Sequence, residues 1–243
     1  MIASYRILVG KEANLKTKPW GDPKTAKILV IGHDPGLQRS KTIAEYCFFA
    51  DYYFRPKPSQ ASERAKYDLA ASLFGCVRDL TAGQFSDREK ENVLITNLCN
   101  EVLPLSPRGK TNYIPRDMAE EGLKTIRELL AVSSIRLIFP MSQQVNYWLQ
   151  KLGFYSTDTR FLEKSEPQLS GVRSGQPYYQ PRETKAFKEI CGKKYIADGR
   201  YYLFPILHIK SYPLKGNFLV YGDNYKDCKK EVKQLVDSFR GEK

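Results

Sequence analysis

The stretch "KILVIGHDPGLQ", residues 27–38, decides the fold. From Ile28 to Ile31 every side chain is aliphatic, the run is too short for a helix, and a polar turn bounds it. Such a run predicts a strand buried on both faces, as in a parallel sheet. Gly32 ends it, and His33, Asp34, Pro35 and Gly36 follow at its carboxyl end. The chain has two histidines, and one of them stands here beside an aspartate.

Working outward, the same pattern recurs. "NVLIT" (92–96), "IRLIFP" (135–140) and "YYLFPILH" (201–208) read as three further strands. Helical stretches lie between and after them. Residues 62–75 start at a capping Ser62, place Leu69, Leu73 and Phe74 on one face, and stop at Gly75. Residues 115–130 open on a proline, carry acids in the first turns, and repeat Leu123, Ile126 and Leu130 at helical spacing. Residues 142–153 have a serine cap and a glycine stop. Residues 224–239 line up Cys228, Val232, Leu235, Val236 and Phe239. Strands alternating with helices predict one α/β domain over residues 1–243, its sheet mostly parallel, four-stranded and covered on both faces. Residues 1–25 read as a lead-in arm. Residues 154–200, rich in Gly, Pro, Lys, Arg and Tyr, are a loop-rich insertion that fits a surface excursion and a separate hairpin equally.

Composition limits the function classes. The 243 residues are 42% hydrophobic and 27% charged, an ordinary globular balance. Lys plus Arg number 39 against 27 Asp plus Glu, a net charge of +12, which fits a polyanionic partner, most often nucleic acid. No apolar run approaches the roughly 18 residues of a membrane span. The N-terminus lacks a hydrophobic signal core, so a cytoplasmic protein is expected. Cys47, Cys76, Cys99, Cys191 and Cys228 are scattered without a C-x-x-C pair. Free thiols are expected, and neither a zinc finger nor a disulfide framework. No phosphate-cradling glycine loop and no nucleophile elbow occurs. No metal or cofactor is expected.

In an open parallel sheet, ligands bind beyond the carboxyl ends of the strands. Asp34 and His33 stand at the first such end, Asn97 at the second, Ser142 at the third and His208 at the fourth. A carboxylate, an amide and both imidazoles of the chain are thus expected at one edge.

This ordered set resembles the uracil-DNA glycosylase superfamily. "GHDPG" resembles its first motif, in which Gly32, Pro35 and Gly36 shape the backbone and Asp34 is the catalytic carboxylate. "NVLITNL" resembles the strand whose terminal asparagine, here Asn97, reads the base. "LFPILHIKSYP" resembles the last motif, whose histidine, here His208, faces the leaving base. "YCFFA" offers the stacking aromatic, Phe48 first and Phe49 second, with His33 a further base-pocket residue. The resemblance implies a three-layer α/β/α fold. It also implies hydrolysis of the N-glycosidic bond of uracil, or a related deaminated base, flipped out of DNA, by a monomer.

The chain departs from the family in three places. Proline and serine usually follow the last-motif histidine directly, whereas Ser211 here comes later. That leaves Lys210 or Ser211 for a phosphate contact and Tyr212 or Leu214 for a wedge into the base stack. Gly36 replaces the tyrosine that bars thymine in uracil-specific members. The scattered cysteines do not fit the iron–sulfur cluster of some branches. Two other readings compete. One is a catalytically inactive nucleic-acid-binding protein of the same fold; the other is an unrelated α/β protein that binds a small nucleotide.

Overall fold

The computed structural model describes residues 16–35, 44–83, 89–101, 103, 113–157, 160–173, 176–183, 185–209 and 220–240. Gly36, Lys210, Ser211, Tyr212 and Leu214 lie outside the described residues.

The aliphatic runs form the centre of the sheet. Strands β1 (Ile28–Gly32), β2 (Val93–Asn97) and β3 (Leu137–Pro140) are buried along their whole length. Burial on both faces is what their unbroken apolar sequence requires. β1 lies between β2 and β3, parallel to both. With β6 (Tyr195–Ala197) and β7 (Tyr201–Leu203) the order is β2-β1-β3-β7-β6. The described residues therefore form a mixed α/β protein with a mostly parallel five-stranded sheet.

One expectation is corrected here, and one open alternative is decided. Among the described residues the sheet has five strands rather than four, because Tyr195–Ala197 pairs antiparallel with Tyr201–Leu203 at the edge. A three-residue strand with Ile196 47% exposed carries no burial pattern that a sequence displays. The insertion at 154–200 also contains a true hairpin, β4 (Pro167–Arg173) against β5 (Gln176–Pro181), with an irregularity between Leu169 and Gly171. The regular part of the fourth expected strand is short. Its ladder nevertheless continues, since Phe204 and Ile206 N–H groups donate to the Ile138 and Pro140 carbonyls.

The opposite edge is covered by the segment before β1. Trp20 exchanges backbone hydrogen bonds with Ile95, at 2.9 and 2.8 Å. Its indole stacks on Phe54 and meets Phe74 edge-on. Covering an edge strand in this way removes a template for aggregation.

Helix α1 (Ala61–Leu80) connects β1 to β2, and α3 (Arg116–Ala131) connects β2 to β3 in the opposite direction. Right-handed crossovers would put these two helices on opposite faces of the sheet. The short α2 (Glu89–Asn92) precedes β2; α4 (Gln143–Lys151) follows β3, α5 (Phe161–Ser165) follows α4, and α6 (Gly222–Arg240) follows β7. α6 docks on α1 where Lys229 Nζ donates to Asp79 Oδ1 at 2.6 Å and the Tyr225 hydroxyl donates to Oδ2 of the same carboxylate.

α1 runs past Gly75, which was expected to stop it. The stop comes at Thr81–Gly83, where Ala82 and Gly83 take positive φ and the Gly83 N–H returns to the Arg78 carbonyl. Gly75 is an interior helical glycine, and an added Cβ there meets nothing within 4 Å. Gly75→Ala is expected to stabilise the protein by about 0.5–1 kcal/mol, read as a higher urea midpoint at unchanged slope.

All five cysteines are buried and stand outside any disulfide. Burial pushes the Cys47, Cys76, Cys99 and Cys228 thiols up to about 12 and raises Cys191 in the same direction. The folded protein at pH 8 should therefore react with a disulfide reagent far more slowly than the protein in denaturant. An unfolded thiol ionises from about 9, so stability should fall as pH rises from there towards 12, as base titration of the folded protein would show.

Candidate functional site

β1 sends its connection to one side and β3 to the other, and it is at such a switch point, beyond the carboxyl ends of the strands, that open α/β sheets form their ligand crevice. Gly32 ends β1 directly opposite Asn97, its register partner on β2. The Leu98 N–H donates to the Gly32 carbonyl at 2.8 Å and the Cys99 N–H to the His33 carbonyl at 2.9 Å. On the other side the Met141 N–H donates to the Ile31 carbonyl and the Ser142 N–H to the Ile206 carbonyl. The strand ends that carry Asn97, His33–Asp34, Ser142 and His208 are thus laced together by backbone hydrogen bonds.

Phe48 reaches this edge from the 3-10 segment Cys47–Phe54. Phe48 and Phe49 hold φ of 56° and 53°, a left-handed conformation that is costly for a bulky side chain. The bent backbone sets the Phe48 ring against Gly32 and beside His208, with ring centroids 5.7 Å apart and planes 37° apart. An added Cβ on Gly32 would stand 2.6 Å from Phe48 Cζ and closer still to Phe48 Cε2 and Asn97 Oδ1. A side chain at 32 would therefore occupy the space where ring and amide meet. Phe49 turns elsewhere, edge-on to Tyr52.

Asn97 is 1% exposed, and its Oδ1 is buried without a hydrogen-bond partner. A buried carbonyl oxygen without a donor costs about 1–3 kcal/mol, and native proteins seldom leave one. Here it borders the Phe48 ring and Gly32. Such an oxygen is prepared to accept an N–H from a planar ligand lying on that ring.

Asp34 Oδ1 is 2.7 Å from His33 Nδ1, and His33 Nε2 is 2.9 Å from Gln144 Oε1. The same Gln144 oxygen accepts the Ile114 N–H at 3.1 Å. Gln144, at the start of α4, carries no signal in the sequence, because a glutamine within "SQQ" has no pattern. Ser142 occupies the N-cap position of α4 as expected but makes no capping bond; its φ is 75° and its Oγ is buried and unpaired. Asn146 holds the turn instead, its Nδ2 donating to the carbonyls of Pro140 and Ser142.

Of the expected residues, Gly32, His33, Asp34, Phe48, Asn97 and His208 lie at this edge, and Pro35 follows Asp34 directly. Among the described residues no group of three or more His, Cys, Asp or Glu is arranged to hold a metal ion. No described helix is long and apolar enough to cross a membrane. No protein-family model matches the chain, and no curated protein matches its sequence.

Proposed function

We propose that this chain is a DNA glycosylase of the uracil-DNA glycosylase type, with a three-layer α/β/α architecture, acting on uracil or a related deaminated base. The observation that carries the reading is the unpartnered Asn97 oxygen beside the Phe48 ring, at the strand-end crevice that also holds Asp34 and His208. The surplus of basic residues supports a DNA partner.

In this reading the nucleotide leaves the duplex and its base lies on Phe48, a contact worth about 1–3 kcal/mol. Asn97 Oδ1 accepts the imide N–H and its amide donates to a ring carbonyl. The bond between C1′ and the base nitrogen breaks with its electron pair leaving on the base. Asp34 stabilises the oxocarbenium-like sugar and orients a water. His208 donates to the oxygen on which negative charge gathers. The water oxygen bonds to C1′, its proton is released, and the products are the free base and an abasic site.

The test uses labelled oligonucleotides carrying uracil, hypoxanthine, xanthine or a G·T mismatch, single- and double-stranded, treated with alkali after incubation. Strand scission at uracil or another deaminated base is the expected result. No scission of any substrate, with tight and salt-sensitive DNA binding, would overturn the reading in favour of a non-catalytic DNA-binding protein.

A further inference from the structure

His33 is 3% exposed and sits between two groups whose hydrogen-bonding roles are fixed. Gln144 Oε1 accepts the Ile114 N–H, so it is the amide's oxygen, and not its nitrogen, that faces His33 Nε2. Nε2 must therefore carry a proton and donate it. On the other side, Nδ1 lies 2.7 Å from a carboxylate oxygen, too close for two lone pairs. A second proton must lie between them. The pair is nearly sealed, with side-chain exposures of 4% for His33 and 13% for Asp34.

We propose that His33 is a positioning residue. It is clamped with a proton on each ring nitrogen between Gln144 and Asp34, and it fixes the Asp34 carboxylate at the crevice rather than touching the base. Both nitrogens are engaged, so neither is left to read a ligand. The clamp also spans the crevice. Asp34 follows β1, Gln144 lies in α4 after β3, and Ile114 precedes α3. One imidazole thus ties the carboxylate to both elements opposite it. A charge-assisted bond to a buried partner holds a carboxylate more rigidly than a neutral donor does.

The meaning of a fixed Asp34 rests on the glycosylase reading, but the proton count does not. With two histidines in the chain, ring-nitrogen NMR on histidine-labelled protein resolves both, and His208→Asn assigns them. At the pH of the excision assay, two exchange-protected N–H signals from His33 are expected. A ring nitrogen with the shift of a bare lone pair would overturn the proposal.

Kinetics supply the second arm. His33→Asn keeps a donor near the Nδ1 position, towards Asp34, whereas His33→Gln reaches towards the Nε2 position and Gln144. His33→Asn, left with one neutral donor and no tie to Gln144, should lose about threefold to tenfold in kcat, and His33→Gln about thirtyfold to a hundredfold, both at nearly constant KM. Equal activities for the two variants would refute the positioning role. If the parent chain excises no base at all, the glycosylase reading fails, and the NMR result alone decides the state of His33.

Discussion

Asp34→Asn is expected to leave a folded protein that binds uracil-containing DNA and excises the base roughly 100- to 1,000-fold more slowly in single turnover. The substitution is nearly isosteric. The new amide can turn its oxygen to His33 Nδ1 and keep the 2.7 Å contact that orients the side chain. What is lost is the negative charge, and an oxocarbenium-like sugar depends on charge far more than a bound ground state does. DNA affinity should therefore stay within about threefold while the chemical step collapses, which separates transition-state stabilisation from binding. A variant that excises uracil at the parent rate would remove Asp34 from the mechanism, and the other site residues would need a different source of anionic stabilisation.

Gly32→Ala is expected to lower activity by about a hundredfold or more and stability by about 1–3 kcal/mol. The cause is steric alone, because Gly32 is an ordinary strand residue in register with Asn97. Its missing side chain is the space in which the Phe48 ring and the Asn97 amide meet. A methyl there must displace one or both. Displacing Phe48 is difficult, since its ring already packs against Gly32 and beside His208. The double variant Gly32→Ala, Phe48→Ala should recover only part of the stability, because it relieves the contact with the ring and not the one with Asn97 Oδ1, and none of the activity, because the stacking face is gone. Urea titration and single-turnover excision measure the two quantities separately. A single variant with parental stability and rate would show that the Gly32–Phe48–Asn97 junction is not where the ligand is held.

The sequence shows the strands that are buried on both faces and leaves the others hidden. Ile28–Gly32, Val93–Asn97 and Leu137–Pro140 were legible because a strand without a solvent face is written as an unbroken apolar run. Tyr195–Ala197 was not, because a short edge strand is defined by its partner rather than by its own burial. Gly75 misled for a similar reason. Glycine is punctuation only where the backbone needs a positive φ, and that need arises at Ala82 and Gly83, as the folded chain alone reveals.

The same division holds for the candidate site. Gly32, His33, Asp34, Asn97 and His208 follow from a rule about strand ends, and the order of strands along the chain is enough to gather them. Only the tertiary structure adds Gln144, whose amide oxygen meets His33 across 111 residues of sequence. It alone turns Phe48 rather than Phe49 onto Gly32 and leaves the Asn97 oxygen buried without a donor. Periodicity along the chain encodes which face of an element is buried. Which side chains from separate elements come within hydrogen-bonding distance is settled by strand order, register and a few strained dihedrals, and none of these leaves a local mark on the sequence.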